Sequence, residues 1–387
     1  MRLALFGAVA FVISAHAHDV APIPTTDNII AGGSAHEAPR PPQPAPPPPP
    51  PPPLCDLASC GPLRTSASGR FLAHRDGTLF YYVADTPWHL LQDVSLAEAQ
   101  AFIDLRLGQG FTALQLNALG MGGDPNAQGD RFGNWTALNP PYWSHVDAVL
   151  KYMEQRGMVA YLLPIWAFNW ACPGPGNKCP SGRPSASLSD HFAFGKTLGA
   201  RWRGYGNIVW VLGGDISDPP IAKYRQLLAG IRAGGAQQLL TAHPRAPGSS
   251  SEFLPAELDF FSVQNRAGRS GGGGTNTTGE LTRKDALATF PAARGGSVRT
   301  NKPVLMAETW YEDWAGGGVV DLQYKRGAML RDAFWGARLS GSLGEGYGVD
   351  LPPAISPPFA PVLRRLTDRI STATYCSSSR PAWYCVP

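Results

Sequence analysis

Two acidic residues follow apolar segments that have the composition of buried β-strands. Asp215 comes after residues 208–212 and two glycines, and Glu308 comes after residues 303–307. Glycines at such a point let the backbone bend sharply and leave space for a ligand beside the carboxylate. Two carboxyl groups can hydrolyse an acetal, because one donates a proton to the leaving oxygen while the other acts at the anomeric carbon. The alternatives are structural: Asp215 as a helix N-cap, and Glu308 in a buried ion pair with an arginine.

Aromatic side chains accompany these carboxylates. Five of them fall just after a predicted strand: Trp88, Trp166, Trp170, Trp310 and Tyr311. The apolar faces of sugar rings stack on such side chains, whose large surface binds without demanding charge. Ordinary core packing is the alternative for any single one, and it explains all five together less well.

Other chemistries find little support. The chain has no GxSxG elbow, no HExxH and no P-loop, and residues 271–274 resemble a phosphate loop only by their glycine count. The eight histidines show no ligand spacing, so we expect neither a metal nor a cofactor. We expect His243 and Arg245 to bind substrate hydroxyls or hold a carboxylate, with metal ligation as the alternative. The net charge of +4 comes without a Lys/Arg run, so neither nucleic acid nor a membrane surface is an expected partner.

Eight short apolar segments alternate with amphipathic ones. The predicted strands are 79–84, 112–117, 159–164, 208–212, 239–242, 260–264, 304–307 and 342–346. The predicted helices are 96–107, 145–155, 191–203, 221–231, 322–339 and 361–370. This alternation predicts an α/β fold, a single-domain (β/α)₈ TIM barrel. A doubly wound sheet would need a Gly-rich turn after the first strand, where the chain has Asp85-Thr86-Pro87-Trp88.

In such a barrel the reactive side chains lie at the C-terminal ends of the strands, and strands four and seven face each other across the mouth. This rule brings Asp215 and Glu308 together as the catalytic pair. It also selects substrate-binding candidates: Asp85, Trp88, Gln115, Asn117, Trp166, His243, Arg245, Gln264, Trp310, Tyr311, Glu312 and Tyr347.

The N-terminal segment predicts export. Residues 1–17 have a charged start, a short apolar run and the small-residue cleavage site Ala15-His16-Ala17, which is typical of a signal peptide. Residues 18–53 form a disordered Pro-rich linker whose proline run predicts polyproline II and serves as a spacer, with wall anchoring as the alternative. The catalytic domain then spans 54–370, a short tail spans 371–387, and the protein is expected outside the cell or in a cell wall.

Cysteines and sequons fit this location. Six cysteines fall into three close pairs, and local disulfides are the simplest connectivity, although the sequence does not exclude others. The expected disulfides join Cys55 with Cys60, Cys172 with Cys179, and Cys376 with Cys385, the last closing the tail. Asn134 and Asn276 begin N-glycosylation sequons, although such triplets also occur by chance.

Several short motifs resemble the apiosidase-like glycoside hydrolase family. They are Ser68-Gly69-Arg70-Phe71, Ala84-Asp85-Thr86-Pro87-Trp88, Leu163-Pro164-Ile165-Trp166, Asn207 to Asp215, His243-Pro244-Arg245, Pro303 to Glu308 with Tyr311-Glu312, and Gly344 to Gly348. Their order and spacing cover nearly the whole folded part, from residue 61 to about residue 351. The resemblance implies a retaining barrel glycosidase, with Asp215 as acid/base and Glu308 as nucleophile.

The known activity of that family includes release of apiose from a plant cell-wall pectin side chain, but the resemblance does not name the sugar for this chain. The chain departs from the family pattern at Gln264-Asn265-Arg266, at Trp310 and at the insert 172–179, and these departures concern sugar specificity more than bond chemistry. We therefore expect a monomeric, secreted glycosidase acting on a wall or other surface polysaccharide. The alternatives are a non-catalytic carbohydrate-binding barrel and, from the proline run, an extensin-like wall protein.

Overall fold

The computed structural model describes residues 61–120, 125–171, 185–216, 218–246, 248–264, 302–308, 337 and 341–347. The predicted signal peptide, linker, tail and Asn276 lie outside these residues. So do Trp310, Tyr311, Glu312, the helix at 361–370 and, apart from residue 337, the helix at 322–339. None of the helices in the described part of the chain is long and apolar enough to cross a membrane.

The three expected disulfides also lie outside the described residues. This holds for both members of each pair: Cys55 and Cys60, Cys172 and Cys179, Cys376 and Cys385. The local pairing of these cysteines therefore stays a prediction from their spacing.

The described chain begins with a three-stranded antiparallel sheet and continues into a larger sheet. The small sheet contains β1 (Arg64–Thr65), β2 (Leu72–Ala73) and β3 (Leu79–Phe80). The large sheet contains β4 (Tyr82–Asp85), β5 (Ala113–Asn117), β6 (Val159–Leu163), β7 (Ile208–Gly213), β8 (Leu240–His243), β9 (Gly248–Ser249), β10 (Phe261–Gln264), β11 (Val304–Glu308) and β12 (Gly344–Tyr347).

Eight strands of the large sheet run parallel and curl into the predicted barrel. Their order is β8-β7-β6-β5-β4-β12-β11-β10, so that β12, the last of these eight strands, pairs with β4, the first of them, and β9 adds an antiparallel edge to β10. Where β8 meets β10, the Thr241 hydroxyl donates to the Phe260 carbonyl at 2.8 Å and the Asp259 N–H donates to the Leu240 carbonyl at 2.9 Å. The predicted barrel is confirmed, and each predicted strand is present, the first of them split into β3 and β4.

Five α-helices are present among the described residues: α1 (Leu96–Gly108), α2 (Pro140–Gln155), α3 (Ala167–Trp170), α4 (Leu188–Trp202) and α5 (Ile221–Ala233). Capping boxes start α1 at Ser95 and α4 at Ser187. Helix α2 begins five residues before the predicted position, because its two prolines occupy the first turn, where a missing N–H costs no hydrogen bond.

Apolar side chains form two layers because successive strand residues point to opposite faces. Tyr82, Ala84 and Ala113 belong to the cluster that fills the barrel, together with Trp88 and Trp166. Leu114 and Leu116 instead join the cluster between the strands and the helices. Inside the barrel, Thr241 and Ser262 form a buried hydrogen-bonded pair in mid-strand, and further polar side chains lie near the C-terminal ends of the strands, where a site can form.

His191, in the first turn of α4, makes the fold sensitive to acid. Its side chain is buried, its Nδ1 lies 2.7 Å from the Ser187 carbonyl oxygen, and burial lowers its pKa to about 4. Unfolding exposes the ring and returns its pKa to about 6.5, so the unfolded chain binds the extra proton first. We expect the free energy of unfolding to fall as the pH drops from 6.5 to 4, by up to about 3 kcal/mol from this group.

Urea unfolding of the wild type and of His191→Gln over this pH range measures the contribution. The variant should show a flatter dependence of unfolding free energy on pH. Identical slopes for the two proteins would contradict the assignment.

Candidate active site

Five side chains meet at the C-terminal end of the barrel. His243 ends β8, Glu308 ends β11 and Asp215 lies two residues beyond β7. Trp88 and Trp166 come from the segments after β4 and β6, and each places its ring centroid 5.3 Å from that of His243. The two indole centroids are also 5.3 Å from each other, so the three rings pack together as a triangle.

The imidazole joins the two carboxylates. His243 Nε2 lies 3.5 Å from Asp215 Oδ1 and 3.3 Å from Glu308 Oε2. Both oxygens are within 3.5 Å of one nitrogen, so they are at most about 7 Å apart, a bound that covers the carboxylate separation of retaining glycosidases and the lower end of that of inverting ones. The side chains of His243 and Glu308 are fully buried, whereas 26% of the Asp215 side chain is exposed. The two carboxylates thus share one site but differ in their access to solvent.

The backbone before Asp215 is unusual. Gly213, Gly214 and Asp215 have φ angles of 111°, 123° and 46°, and Asp215 is the only non-glycine residue with positive φ among the described residues. Such a conformation costs free energy and is typical of functional sites. Asp215 does not cap the next described helix, since α5 has Pro220 at its N-cap position, so the N-cap alternative is wrong for that helix.

Both glycines are also required by close packing. A Cβ on Gly213 would lie 2.2 Å from the His243 carbonyl oxygen, and one on Gly214 would lie 2.7 Å from Trp166 Cδ2 and 2.9 Å from the Ala167 nitrogen. The two glycines, predicted to bend the backbone, therefore also let the chain just before Asp215 pass close to His243 and Trp166.

Gly214→Ala should destabilise the protein by about 2–3 kcal/mol, since it combines an unfavourable φ with overpacking against backbone. It should also displace Asp215 and lower any activity at this site. Thermal and urea unfolding measure the stability. Gly108→Ala is the matched control, because a Cβ there meets nothing within 4 Å and helix α1 favours alanine. Equal stability of the two variants would contradict the packing argument.

Glu308 is positioned by an irregularity between β10 and β11. Val263 pairs with Met306 and Gln264 pairs with Glu308, so Ala307 is an extra residue in β11. The Gln115 amide, from β5, donates a hydrogen bond to the carbonyl of Ala307. Gln115 can reach across β12 because Gly346 has no side chain: a Cβ there would lie 2.6 Å from Gln115 Nε2. Gln115 was predicted to bind substrate, but its side-chain N–H group donates a hydrogen bond to the backbone carbonyl of the residue before Glu308.

Two other predicted binding residues face the barrel interior without partners. Asn117 and Gln264 are fully buried at the ends of β5 and β10. Neither amide has a hydrogen-bond partner for its oxygen or its nitrogen among the described residues. Buried amides normally satisfy this capacity, and the partners of these two do not lie among the described residues, so their role in binding substrate stays a prediction. Gln264 lies directly beside Glu308 in the strand register.

Asp85 lies apart from this cluster, in contrast to the prediction. It is fully buried, and its Oδ2 accepts a hydrogen bond from Arg106 Nε of α1 at 2.6 Å. Its Oδ1 accepts from the Thr86 N–H at 2.7 Å. The physical reason is the alternation of side chains along β4: Tyr82 and Ala84 point into the barrel, so Asp85 points to the helix layer.

The remaining candidates are dispersed. Arg245 is exposed two residues beyond β8, and Tyr347 ends β12 with a side chain outside the described part. Trp170 packs in the outer layer against Phe132 and Trp135 and donates its indole N–H to the Gly120 carbonyl at 3.3 Å. In the sequon, Asn134 is exposed and its Oδ1 accepts hydrogen bonds from the Thr136 N–H and hydroxyl, both at 3.0 Å.

Phe168 was missed by the sequence reasoning. Its side chain is 40% exposed, and its N–H donates to the Gly214 carbonyl at 3.3 Å, immediately before Asp215. The signal for it was the aromatic density of residues 166–170, in which only the tryptophans had been selected. Within the described ranges, no three His, Cys, Asp or Glu side chains are arranged to hold a metal ion.

The fold is a (β/α)₈ barrel, and comparison with solved structures of glycoside hydrolases shows the same fold. A glycoside hydrolase family 5 protein from Bacteroides vulgatus is 24% identical with a TM-score of 0.60, over 75% of this chain and 63% of that one. A structure described only as a glycoside hydrolase is 24% identical with a TM-score of 0.62, over 81% and 75% of the two chains. A family 5 mannosidase from Rhizomucor miehei is 13% identical with a TM-score of 0.55, over 74% and 85%.

The sequence identifies the family. The model of the apiosidase-like catalytic domain matches residues 66–351, and the chain belongs to this family. No curated protein matches the chain. The chain spans less than two thirds of the length of the Bacteroides vulgatus protein.

Proposed function

We propose that the protein is a secreted glycosidase that hydrolyses O-glycosidic bonds in a cell-wall or other surface polysaccharide with retention of configuration. Asp215 is the general acid/base and Glu308 is the nucleophile. The observation that carries the proposal is the pair of carboxylates within 3.5 Å of one buried imidazole nitrogen at the barrel mouth. Membership of the apiosidase-like family agrees with it.

The division of roles follows from exposure. The nucleophile must reach the anomeric carbon of a sugar held in the barrel, and Glu308 is the fully buried member of the pair. The acid/base must reach both the leaving group and the incoming water, and Asp215 is the partly exposed member. Asn117 and Gln264 provide unpartnered amides for sugar hydroxyls, while Trp88 and Trp166 provide apolar surface.

In the first step, the Glu308 carboxylate forms a bond to the anomeric carbon while the bond to the leaving oxygen breaks, and Asp215 gives its proton to that oxygen. In the second step, Asp215 takes a proton from water, the water oxygen bonds to the anomeric carbon, and the ester to Glu308 breaks. Each residue returns to its starting state, and no cofactor is required.

Asp215→Asn tests the roles. The variant should lose on the order of 10³-fold in kcat/KM on glycosides with a poor leaving group, because protonation of the oxygen is lost. It should lose far less on dinitrophenyl glycosides, whose leaving group needs no proton. The measurement begins with a screen of aryl pentosides, aryl hexosides and wall polysaccharides, followed by ¹H NMR of the first-formed anomer. Inversion, or equal losses on both kinds of leaving group, would contradict the proposal; binding without any product would favour the non-catalytic alternative.

A further inference from the structure

His243 holds a position that the two-carboxylate reaction does not by itself require. Its Nε2 lies at nearly equal distances, 3.3 and 3.5 Å, from an oxygen of Glu308 and an oxygen of Asp215. The ring is fully buried and held by Trp88 and Trp166, so it cannot move far toward either carboxylate.

The surroundings of the ring determine which nitrogen carries the proton. Neither ring nitrogen makes a hydrogen bond to a described residue, but Nε2 has two carboxylate oxygens 3.3 and 3.5 Å away, whereas Nδ1 has no acceptor among the described residues. A neutral imidazole places its hydrogen on the nitrogen that has acceptors. The neutral ring therefore presents Nε2–H to the carboxylate pair.

Other titratable groups near the ring are few in the described part. Tyr161, from β6, interacts electrostatically with Glu308, but burial raises the pKa of its hydroxyl far above the ordinary value, so it stays neutral. Arg245 follows His243 by two residues and is exposed. His89 and Asp93 pair with each other at 3.4 Å in the segment that also carries Trp88. From β10, the neighbouring side chain Gln264 is uncharged.

We propose that His243 is a positioning residue whose single Nε2–H serves whichever of the two carboxylates is ionised. The inference rests on the proposed function, because the negative charge moves from Glu308 to Asp215 in the first step and back in the second. The hydrogen bond moves with the charge: to Glu308 in the resting enzyme and to Asp215 in the glycosyl-enzyme. His243 itself neither gains nor loses a proton.

The pH dependence tests this role. A hydrogen bond to the charged form favours ionisation, and the active form carries one ionised carboxylate before each step. His243→Leu should therefore move the acid limb of kcat/KM to higher pH by about one unit. On a dinitrophenyl glycoside, whose turnover is limited by the second step, it should move the acid limb of kcat in the same direction.

His243→Gln separates hydrogen bonding from packing. Glutamine places an N–H group at the position of Nε2 and does not titrate, so it should return both acid limbs to the wild-type pH. If the acid limbs of both pH profiles are unchanged in His243→Leu, His243 contributes only packing. If only the acid limb of kcat/KM moves, His243 acts on Glu308 alone. If His243→Gln does not return the acid limbs to the wild-type pH, the role requires a charged imidazolium. Each of these results overturns the proposal.

A second measurement is independent of turnover. ¹⁵N NMR of imidazole-labelled protein at neutral pH, with His243 assigned from the spectrum of His243→Gln, should show a protonated Nε2 and an unprotonated Nδ1. A protonated Nδ1, alone or together with Nε2, would contradict the inference. If the wild type hydrolyses no glycoside, the proposed function fails, while the NMR result still decides where the proton of His243 lies.

Discussion

Replacing Glu308 by glutamine is expected to lower kcat/KM on the order of 10⁴-fold or more, because the amide cannot form the bond to the anomeric carbon. The two side chains have nearly the same shape, so the packing around His243 and β10 should be retained. Circular dichroism and thermal unfolding should match the wild type. Glu252→Gln is the control: it is the same chemical change at an exposed glutamate outside the site.

Removal of the side chain extends the same prediction. Glu308→Gly leaves space in which azide can attack an activated glycoside, and the product should be a glycosyl azide of opposite anomeric configuration. If Asp215→Gly forms this adduct and Glu308→Gly does not, then Asp215 is the nucleophile and Glu308 is the acid/base. Retention of most of the wild-type rate in Glu308→Gln would remove Glu308 from the mechanism.

The largest effect on stability is expected at Arg106. The ion pair between Arg106 Nε and Asp85 Oδ2 spans 2.6 Å with both side chains fully buried. The guanidinium also packs 5.0 and 5.1 Å from the ring centroids of Phe102 and Phe111. Arg106→Met would leave the Asp85 carboxylate buried without this charge, and we expect it to lower the free energy of unfolding by about 3–5 kcal/mol.

A double-mutant cycle isolates the pair. Asp85→Asn combined with Arg106→Met should recover part of the loss, because asparagine removes the buried charge and still accepts from the Thr86 N–H. Arg156→Met is the matched control: its ion pair with Asp104 is about half exposed on both sides, so it should cost less than about 1 kcal/mol. Similar losses for the two single arginine variants in urea unfolding would contradict the role of burial.

Asp85 shows where sequence reasoning was insufficient. It was selected because it ends a strand, and β4 does end there, but strand ends deliver side chains to two faces. Which face a residue occupies depends on the register of the whole barrel and, for Asp85, on Arg106 of α1, 21 residues away. Asn117 and Gln264, selected by the same rule, point into the barrel. The roles of all three in substrate binding stay predictions.

The sequence by itself determined the eight-strand alternation, the family, and the placement of Asp215 and Glu308 at strand ends, because hydrophobic periodicity and glycine positions are local properties of the chain. Only the tertiary structure decided that His243 lies between the two carboxylates, that Gln115 reaches the backbone beside Glu308, and that Asp85 belongs to the helix layer. These contacts join residues from different strands. They depend on register, on an extra residue in β11 and on space left by glycines, which no local pattern specifies.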